Sequence, residues 1–216
     1  MVTAKHVAEF LDPNSEVTIN LSSGKSTNIK FTLLTQTPLI RGAKWFRHRA
    51  ADIAIHPIAY PRDAKHSAFP STDLSEVDPA TPLLSTVWVL GFPLGLGTDG
   101  TLNPIAKKAQ VASQVMHLPG FDPTLKFILL DEALAQGYSG APVIWIEDVF
   151  SSIKVGAQPI KAGERAHLIG IQVSALSDIT GGKISVIVPI SYLIDIFRSA
   201  DFAAYEKQIS DPNRPS

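Results

Sequence analysis

Gly137-Tyr138-Ser139-Gly140-Ala141-Pro142 is a run of mostly small residues between two apolar segments, with Leu134-Ala135-Gln136 before it and Val143-Ile144-Trp145-Ile146 after it. The two glycines free the backbone from the limits that a Cβ imposes, and they let another part of the chain approach closely. A hydroxyl set in such a turn is exposed, and neighbouring N–H groups can point at a small anion. Those are the requirements of a nucleophilic serine with an oxyanion hole. They are equally the features of a tight turn between two strands. The choice between these readings depends on whether Ser139 has partners elsewhere in the chain.

The 216 residues are 45% apolar and 18% charged, which suits a globular chain with room for one large all-β domain or two small lobes. Formal net charge is −1 and no long run of Lys or Arg occurs, so composition gives no footprint for nucleic acid or an anionic membrane. The absence of cysteine excludes disulfide staples, thiolate zinc sites and a cysteine nucleophile. No apolar run approaches the roughly 20 residues needed to span a bilayer. Met1-Val2-Thr3-Ala4-Lys5-His6 shows no hydrophobic signal region, which makes a soluble chain with a cytoplasmic location the default expectation.

Residues 3–11 read as a short helical turn stopped by Asp12-Pro13. Residues 16–21 and 28–35 alternate polar and apolar around the turn Ser22-Ser23-Gly24-Lys25, which predicts a hairpin. Residues 51–58 give a further strand signal, and 59–82, with prolines at 61, 70, 79 and 82, read as an ordered linker between lobes. The second half carries strand signals at 85–91, 126–130, 141–146, 167–173 and 183–188, which predict an antiparallel barrel or sandwich. Apolar residues at 190, 193, 194 and 197 predict a C-terminal helix over 190–202, and 207–216 read as a frayed tail.

A serine hydroxyl becomes a nucleophile when a neutral imidazole can take its proton and an acceptor fixes that imidazole's tautomer. Six histidines are available, at 6, 48, 56, 66, 117 and 167. His6 stands in Thr3-Ala4-Lys5-His6-Val7, and Asp52 in Ala51-Asp52-Ile53-Ala54-Ile55. The separations are 46 (52 − 6) and 87 (139 − 52) residues.

Taken together, the three segments resemble the trypsin-like (chymotrypsin-fold) serine peptidases, which use a Thr-Ala-x-His segment, an Asp before alternating apolar residues and a Gly-x-Ser-Gly-x-Pro segment. The order His, Asp, Ser is that of chymotrypsin and not of subtilisin or the α/β-hydrolases. Val87-Trp88-Val89-Leu90-Gly91-Phe92-Pro93-Leu94-Gly95 is similar to the strand end that opens the second barrel in the HtrA-like branch. Residues 167–174 are similar to the strand after the nucleophile loop, and 186–190 to the last strand and the entry to the terminal helix.

The resemblance implies an all-β fold of two antiparallel six-stranded β-barrels with a C-terminal α-helix. On that plan residues 1–75 form the first lobe, 76–206 the second lobe with its helix, and 207–216 the tail. Only five residues precede His6, where the fold normally has two or three strands, so the first barrel is expected to be incomplete. The resemblance implies Ser139 as nucleophile, His6 as proton shuttle and Asp52 as the residue that holds His6. The N–H groups of Gly137 and Ser139 would form the oxyanion hole. Ser174 and Ala175 would line the substrate edge, and Ala133, six residues before Ser139, would set the P1 preference with Ser185 nearby. Ala133 is not acidic, so the expectation is a serine endopeptidase that prefers a small or medium apolar P1 residue and needs no cofactor or metal. Its partner would be a peptide or protein substrate. Tyr138 stands where the digestive enzymes carry Asp, and Ala141 replaces the usual second Gly.

Other readings compete. Gly95-Leu96-Gly97-Thr98-Asp99-Gly100 matches G-x-G-x-x-G, and Ala106 to Val115 can be read as helical, which would suit a dinucleotide site. But Thr101-Leu102-Asn103-Pro104 keeps the third glycine out of the opening turn of that segment. An α/β-hydrolase elbow would need glycine at 141 and then a helix. No H-E-x-x-H occurs, and His48, His56 and His66 are spaced as loop and strand residues. The remaining rival is a catalytically impaired member of the same fold that binds peptide or protein.

Overall fold

Period-2 alternation builds the largest element. In the computed structural model, which describes residues 1–65, 81–97, 102–149 and 163–210, strand β7 (Thr86–Gly91) buries Val87, Val89 and Gly91 and turns Thr86, Trp88 and Leu90 outward. It belongs to a six-stranded antiparallel sheet with β8 (Ile105–Gln110), β9 (Ile128–Leu130), β10 (Pro142–Val149), β11 (Gly163–Ser177) and β12 (Lys183–Pro189), in the order β8-β7-β10-β11-β12-β9. The two edges meet: Val111 bridges to Leu130, the Ala112 N–H donates to the Leu129 carbonyl at 2.8 Å, and the Asp131 N–H donates to the Gln110 carbonyl at 3.1 Å. Closure removes the unpaired edges that an open sheet would present. Val87, Val89, Leu130, Val143, Ile169 and Ile187 fill the interior.

The first part of the chain forms two smaller antiparallel sheets rather than a complete second barrel. One joins β1 (Val2–Thr3), β5 (Ala54–Ile55) and β4 (Phe46–Arg47) in the order β1-β5-β4. The other joins β2 (Glu16–Leu21), β3 (Ser26–Lys30) and β6 (Ala64–Lys65) in the order β3-β2-β6. This is the β-rich, incomplete chymotrypsin-like architecture that the sequence leads one to expect. Helix α1 (Lys5–Phe10) follows β1 directly.

A second core joins the two halves. Phe46, Ile53 and Ile55 from the small sheet meet Val186 and Val188 on the outer face of β12 and Leu193, Ile196, Phe202 and Tyr205 from the C-terminal helices. Strand β12 is therefore covered on both faces, and residues 185–189 are buried without alternation. A continuous apolar run of that kind is the mark of a strand buried on both sides.

Three elements differ from the sequence reading. The expected strand over 28–35 stops at Lys30, and α2 (Phe31–Thr35) follows, because a helical turn places Phe31 and Leu34 together in the interior. The segment from Ala106 that can be read as helical is instead β8, where Ala109 and then Val111 alternate into the barrel. The single helix expected over 190–202 is two, α3 (Ser191–Arg198) and α4 (Ala200–Ile209), separated by Ser199 in an extended conformation (φ −64°, ψ 144°). The Ser199 hydroxyl accepts from the Phe202 N–H at 3.2 Å and caps α4. Residues 207–209, read as tail, belong to α4, while 211–216 and most of the predicted linker (66–80) lie outside the described residues.

Candidate active site

Pairing of the small sheet brings His6 and Asp52 together. Thr3 on β1 is in register with Ala54 on β5, so the residue at the start of α1 faces the one just before β5. The Ile53 N–H donates to the Ala51 carbonyl at 2.9 Å, which makes Asp52 the centre of a three-residue turn. Its carboxylate holds His6 twice: Oδ1 accepts the His6 main-chain N–H at 2.9 Å, and Oδ2 lies 2.6 Å from the imidazole Nδ1. An ionised carboxylate only accepts, so in the neutral ring the Nδ1 carries the proton and Nε2 keeps its lone pair. Both side chains are partly open to solvent, 42% for His6 and 36% for Asp52.

The Ser139 turn is held from three sides. The Ala141 N–H donates to the Tyr138 carbonyl at 2.8 Å, and Gly140 takes a left-handed φ of +84° as the third residue of the turn. The Gly140 N–H donates to the Gln172 carbonyl at 2.7 Å, and the Gln172 N–H donates to the Ala141 carbonyl at 3.0 Å, which fastens the turn to β11. On the second side, Gly140 meets the histidine segment: a Cβ there would fall 2.3 Å from the Thr3 Oγ1 and 3.0 Å from the Ala4 nitrogen. On the third, Gly137 (φ +102°) lies against the end of β7, where a Cβ would fall 2.5 Å from the Phe92 carbonyl oxygen.

In the sequence Tyr138 is only a departure from a pattern. It is a buried anchor. Its ring lies against Gly91, where an added Cβ would fall 2.6 Å from the ring, and its hydroxyl donates to the Ile105 carbonyl at 3.3 Å. No local signal in the sequence links Tyr138 to Gly91; only the barrel brings them together.

Among the described residues, the N–H groups of Tyr138, Gly140 and Ala141 are hydrogen-bonded, whereas those of Gly137 and Ser139 are not. The Ser139 hydroxyl makes no hydrogen bond to His6.

Ala133 and Ser185 are adjacent. Ser185 is fully buried, its hydroxyl donating to the Glu132 carbonyl at 2.7 Å and accepting from the Leu134 N–H at 3.0 Å. Ala175 is the register partner of Ser185 across β11 and β12, so it shares that face, and Ser174 pairs with Val186 on the other. Ala133 and Ser174 are half-buried and Ala175 is exposed. Among the described residues no group of His, Asp and Glu is placed to hold a metal ion, and no helix is long and apolar enough to cross a membrane.

No family model matches the chain, and no curated protein matches it in sequence. Solved structures do. The HtrA-type protease AlgW carrying an S227A substitution (its own numbering), with a tripeptide, is 17% identical with a TM-score of 0.54 over 92% of this chain and 50% of its own. AlgW with a decapeptide is 15% identical with a TM-score of 0.53 over 95% of this chain and 48% of its own. The chain has the fold of an HtrA-type, trypsin-like serine protease. It spans about half the length of the HtrA-type structures it matches. Within that fold the Ser139 turn, His6 and Asp52 lie where the barrel meets the small sheet, at the contact of Gly140 with Thr3.

Proposed function

We propose that the protein is a serine endopeptidase that cleaves peptide bonds through Ser139, His6 and Asp52. The observation that carries the reading is the two-point hold of Asp52 on His6, which fixes the ring with Nε2 as its free base. In the proposed reaction the Ser139 Oγ attacks the scissile carbonyl as its proton passes to the His6 Nε2. Asp52 stabilises the imidazolium, and the unpaired N–H groups of Gly137 and Ser139 donate to the oxyanion. The proton then goes to the leaving amine as the C–N bond breaks. A water molecule, deprotonated by the same nitrogen, then attacks the acyl carbonyl, and the proton returns from Nε2 to the Ser139 Oγ as the ester C–O bond breaks and the acid leaves.

The same reading extends to specificity. Ala133 and Ala175 offer methyl groups, and Ser185 has both hydroxyl functions engaged with main chain. None of these supplies a charge to pair with a basic side chain, which favours a small or medium apolar P1 residue. Ser174 and Ala175 would present the substrate edge of β11, with a peptide or protein as substrate. Peptides with Val, Ala, Phe or Arg at P1 test this part, and an Arg preference overturns it.

A second reading, a catalytically impaired module that binds peptide or protein, draws on the missing hydrogen bond between Ser139 and His6. A fluorophosphonate probe separates the two. Labelling of the folded chain that disappears in Ser139→Ala supports the peptidase, and no labelling of the folded chain supports the binding module.

A further inference from the structure

His48 has no part in the proposed reaction, yet it binds both flanks of Asp52. Its Nδ1 accepts the N–H groups of Ala50 at 3.2 Å and Ala51 at 2.8 Å, and its main-chain N–H donates to the Ile53 carbonyl at 3.0 Å. The three-residue turn centred on Asp52 is thus closed on one side by the ring of His48 and on the other by its backbone. A side-chain acceptor that takes N–H groups two and three residues ahead does the work usually given to Asn or Asp in an Asx-turn.

The ring is itself held. Its side chain is 16% exposed, it lies edge-on to the Tyr192 ring of α3 with centroids 4.9 Å apart, and Nε2 stands 3.8 Å from the Asp195 Oδ2. Tyr192 is fixed in turn, because its hydroxyl accepts the Lys126 N–H at 2.8 Å. The charged groups around the imidazole are Asp195 on α3, Lys5 at the start of α1, Arg47 and Arg49 on its own segment, and Asp201 across the groove.

We infer that His48 is a positioning residue for Asp52, and that a proton on its Nδ1 releases the carboxylate from His6. The lone pair on Nδ1 is what orders the turn, so the neutral Nε2–H tautomer is the competent one. Protonation replaces that lone pair with a third N–H facing the two amides, and the ring, now cationic, is drawn by Asp195 toward α3. Burial favours the neutral form and holds the His48 imidazole below its ordinary range, and Lys5 adds to this against the pull of Asp195. The effect on turnover rests on the peptidase reading, whereas the tautomer and the turn do not.

Two variants and one spectrum of the full chain test the inference. His48→Asn keeps an acceptor within reach of the same amides and does not titrate, whereas His48→Phe keeps a ring against Tyr192 and removes the acceptor. His48→Phe should lower kcat/KM about tenfold or more through kcat, with His48→Asn within about threefold of wild type. The acid limb of the wild-type pH profile should steepen from one proton toward two, and in His48→Asn it should keep the slope of one. Nitrogen-15 imidazole spectra should show His48 protonated at Nε2 alone. In His48→Phe the Nδ1–H signal of His6 should be lost while the amide spectrum stays folded. A His48 ring protonated at Nδ1, a His6 signal unchanged in His48→Phe, or no rescue by Asn overturns the inference. If no peptide is cleaved, the two imidazole readings still decide it, and the peptidase reading alone has failed.

Discussion

Gly140 and Thr3 approach so closely that a single methyl group on the glycine would fall 2.3 Å from the threonine Oγ1. That contact sets the serine turn against the segment carrying His6. Gly140→Ala should therefore cost more than the strain of a left-handed φ, which is about 1–2 kcal/mol. Gly24→Ala is the internal control, since Gly24 has a similar φ of +82° with nothing within 4 Å of the added Cβ. Thermal melts should rank Gly140→Ala below Gly24→Ala, and only the former should lose fluorophosphonate labelling. Equal melting temperatures would mean that the two segments separate easily.

Asp52→Asn places an amide where the carboxylate accepts twice from His6. The Asn carbonyl can still accept the main-chain N–H, but its NH₂ would face Nδ1 and drive the imidazole to the other tautomer. The melting temperature should change little, and kcat should fall by roughly ten-thousandfold, the size of the same change in the serine-protease template. An unchanged rate would assign the orienting role to a different carboxylate.

Gly91→Val sets a branched side chain against the Tyr138 ring, where even a Cβ would stand 2.6 Å away. The tyrosine anchor must then leave its place, and the Ser139 turn with it. We expect a drop in stability of about 1–3 kcal/mol from overpacking, read by urea denaturation, together with loss of Ser139 labelling. Full labelling of the variant would show that the turn does not depend on the ring.

Ser185→Ala removes the hydroxyl that holds the 132–134 segment and leaves the Glu132 carbonyl and Leu134 N–H without that partner. The loss should be about 1–3 kcal/mol by chemical denaturation, accompanied by a broader P1 profile as the segment loosens. A narrower profile would mean that the hydroxyl itself contacts the substrate.

Stability should also fall with acid. His56 is buried with its ring edge-on to Phe31 and Trp45, and burial lowers its affinity for a proton despite the Pro57 carbonyl. The unfolded chain then binds more protons than the fold, so stability rises with pH and is lost as pH falls from about 6.5 toward the depressed folded value. His48 contributes with the same sign. The decline in melting temperature between about pH 7 and pH 5 should be shallower in His56→Phe than in wild type. An unchanged slope would show that His56 keeps its ordinary affinity in the fold.

The barrel was legible because its strands follow a period of two, and Val87 and Val89 need only each other to declare an inward face. His6, Asp52 and Ser139 stand out in the sequence only as an ordered set, since no one of the three is distinctive alone, and of that set the fold joins His6 to Asp52 directly. What escaped was tertiary in origin. Phe31 and Leu34 fit a strand or a helical turn equally well until the interior they share is known. Lys107 and Lys108 hide the alternation of β8, and the apolar spacing of 190–197 gives no sign of a break at Ser199. Tyr138 and His48 act on residues brought near by topology, and no spacing rule in the sequence reports that.

The break at Ser199 also bears on the order in which the molecule is made. It turns α4 back so that Phe202 and Tyr205 close on Phe46, with ring centroids 5.0 Å and 5.3 Å apart. A ribosome delivers Phe46 long before it delivers Phe202, so the small sheet that carries His6 and Asp52 waits for its last wall until synthesis has passed Tyr205. The barrel closes on residues no later than Pro189, and a nascent chain paused there would display a formed serine turn beside an unfinished histidine segment. On the proposed function, pairing of the serine turn with a settled His6 would then wait for α4 to close over Phe46.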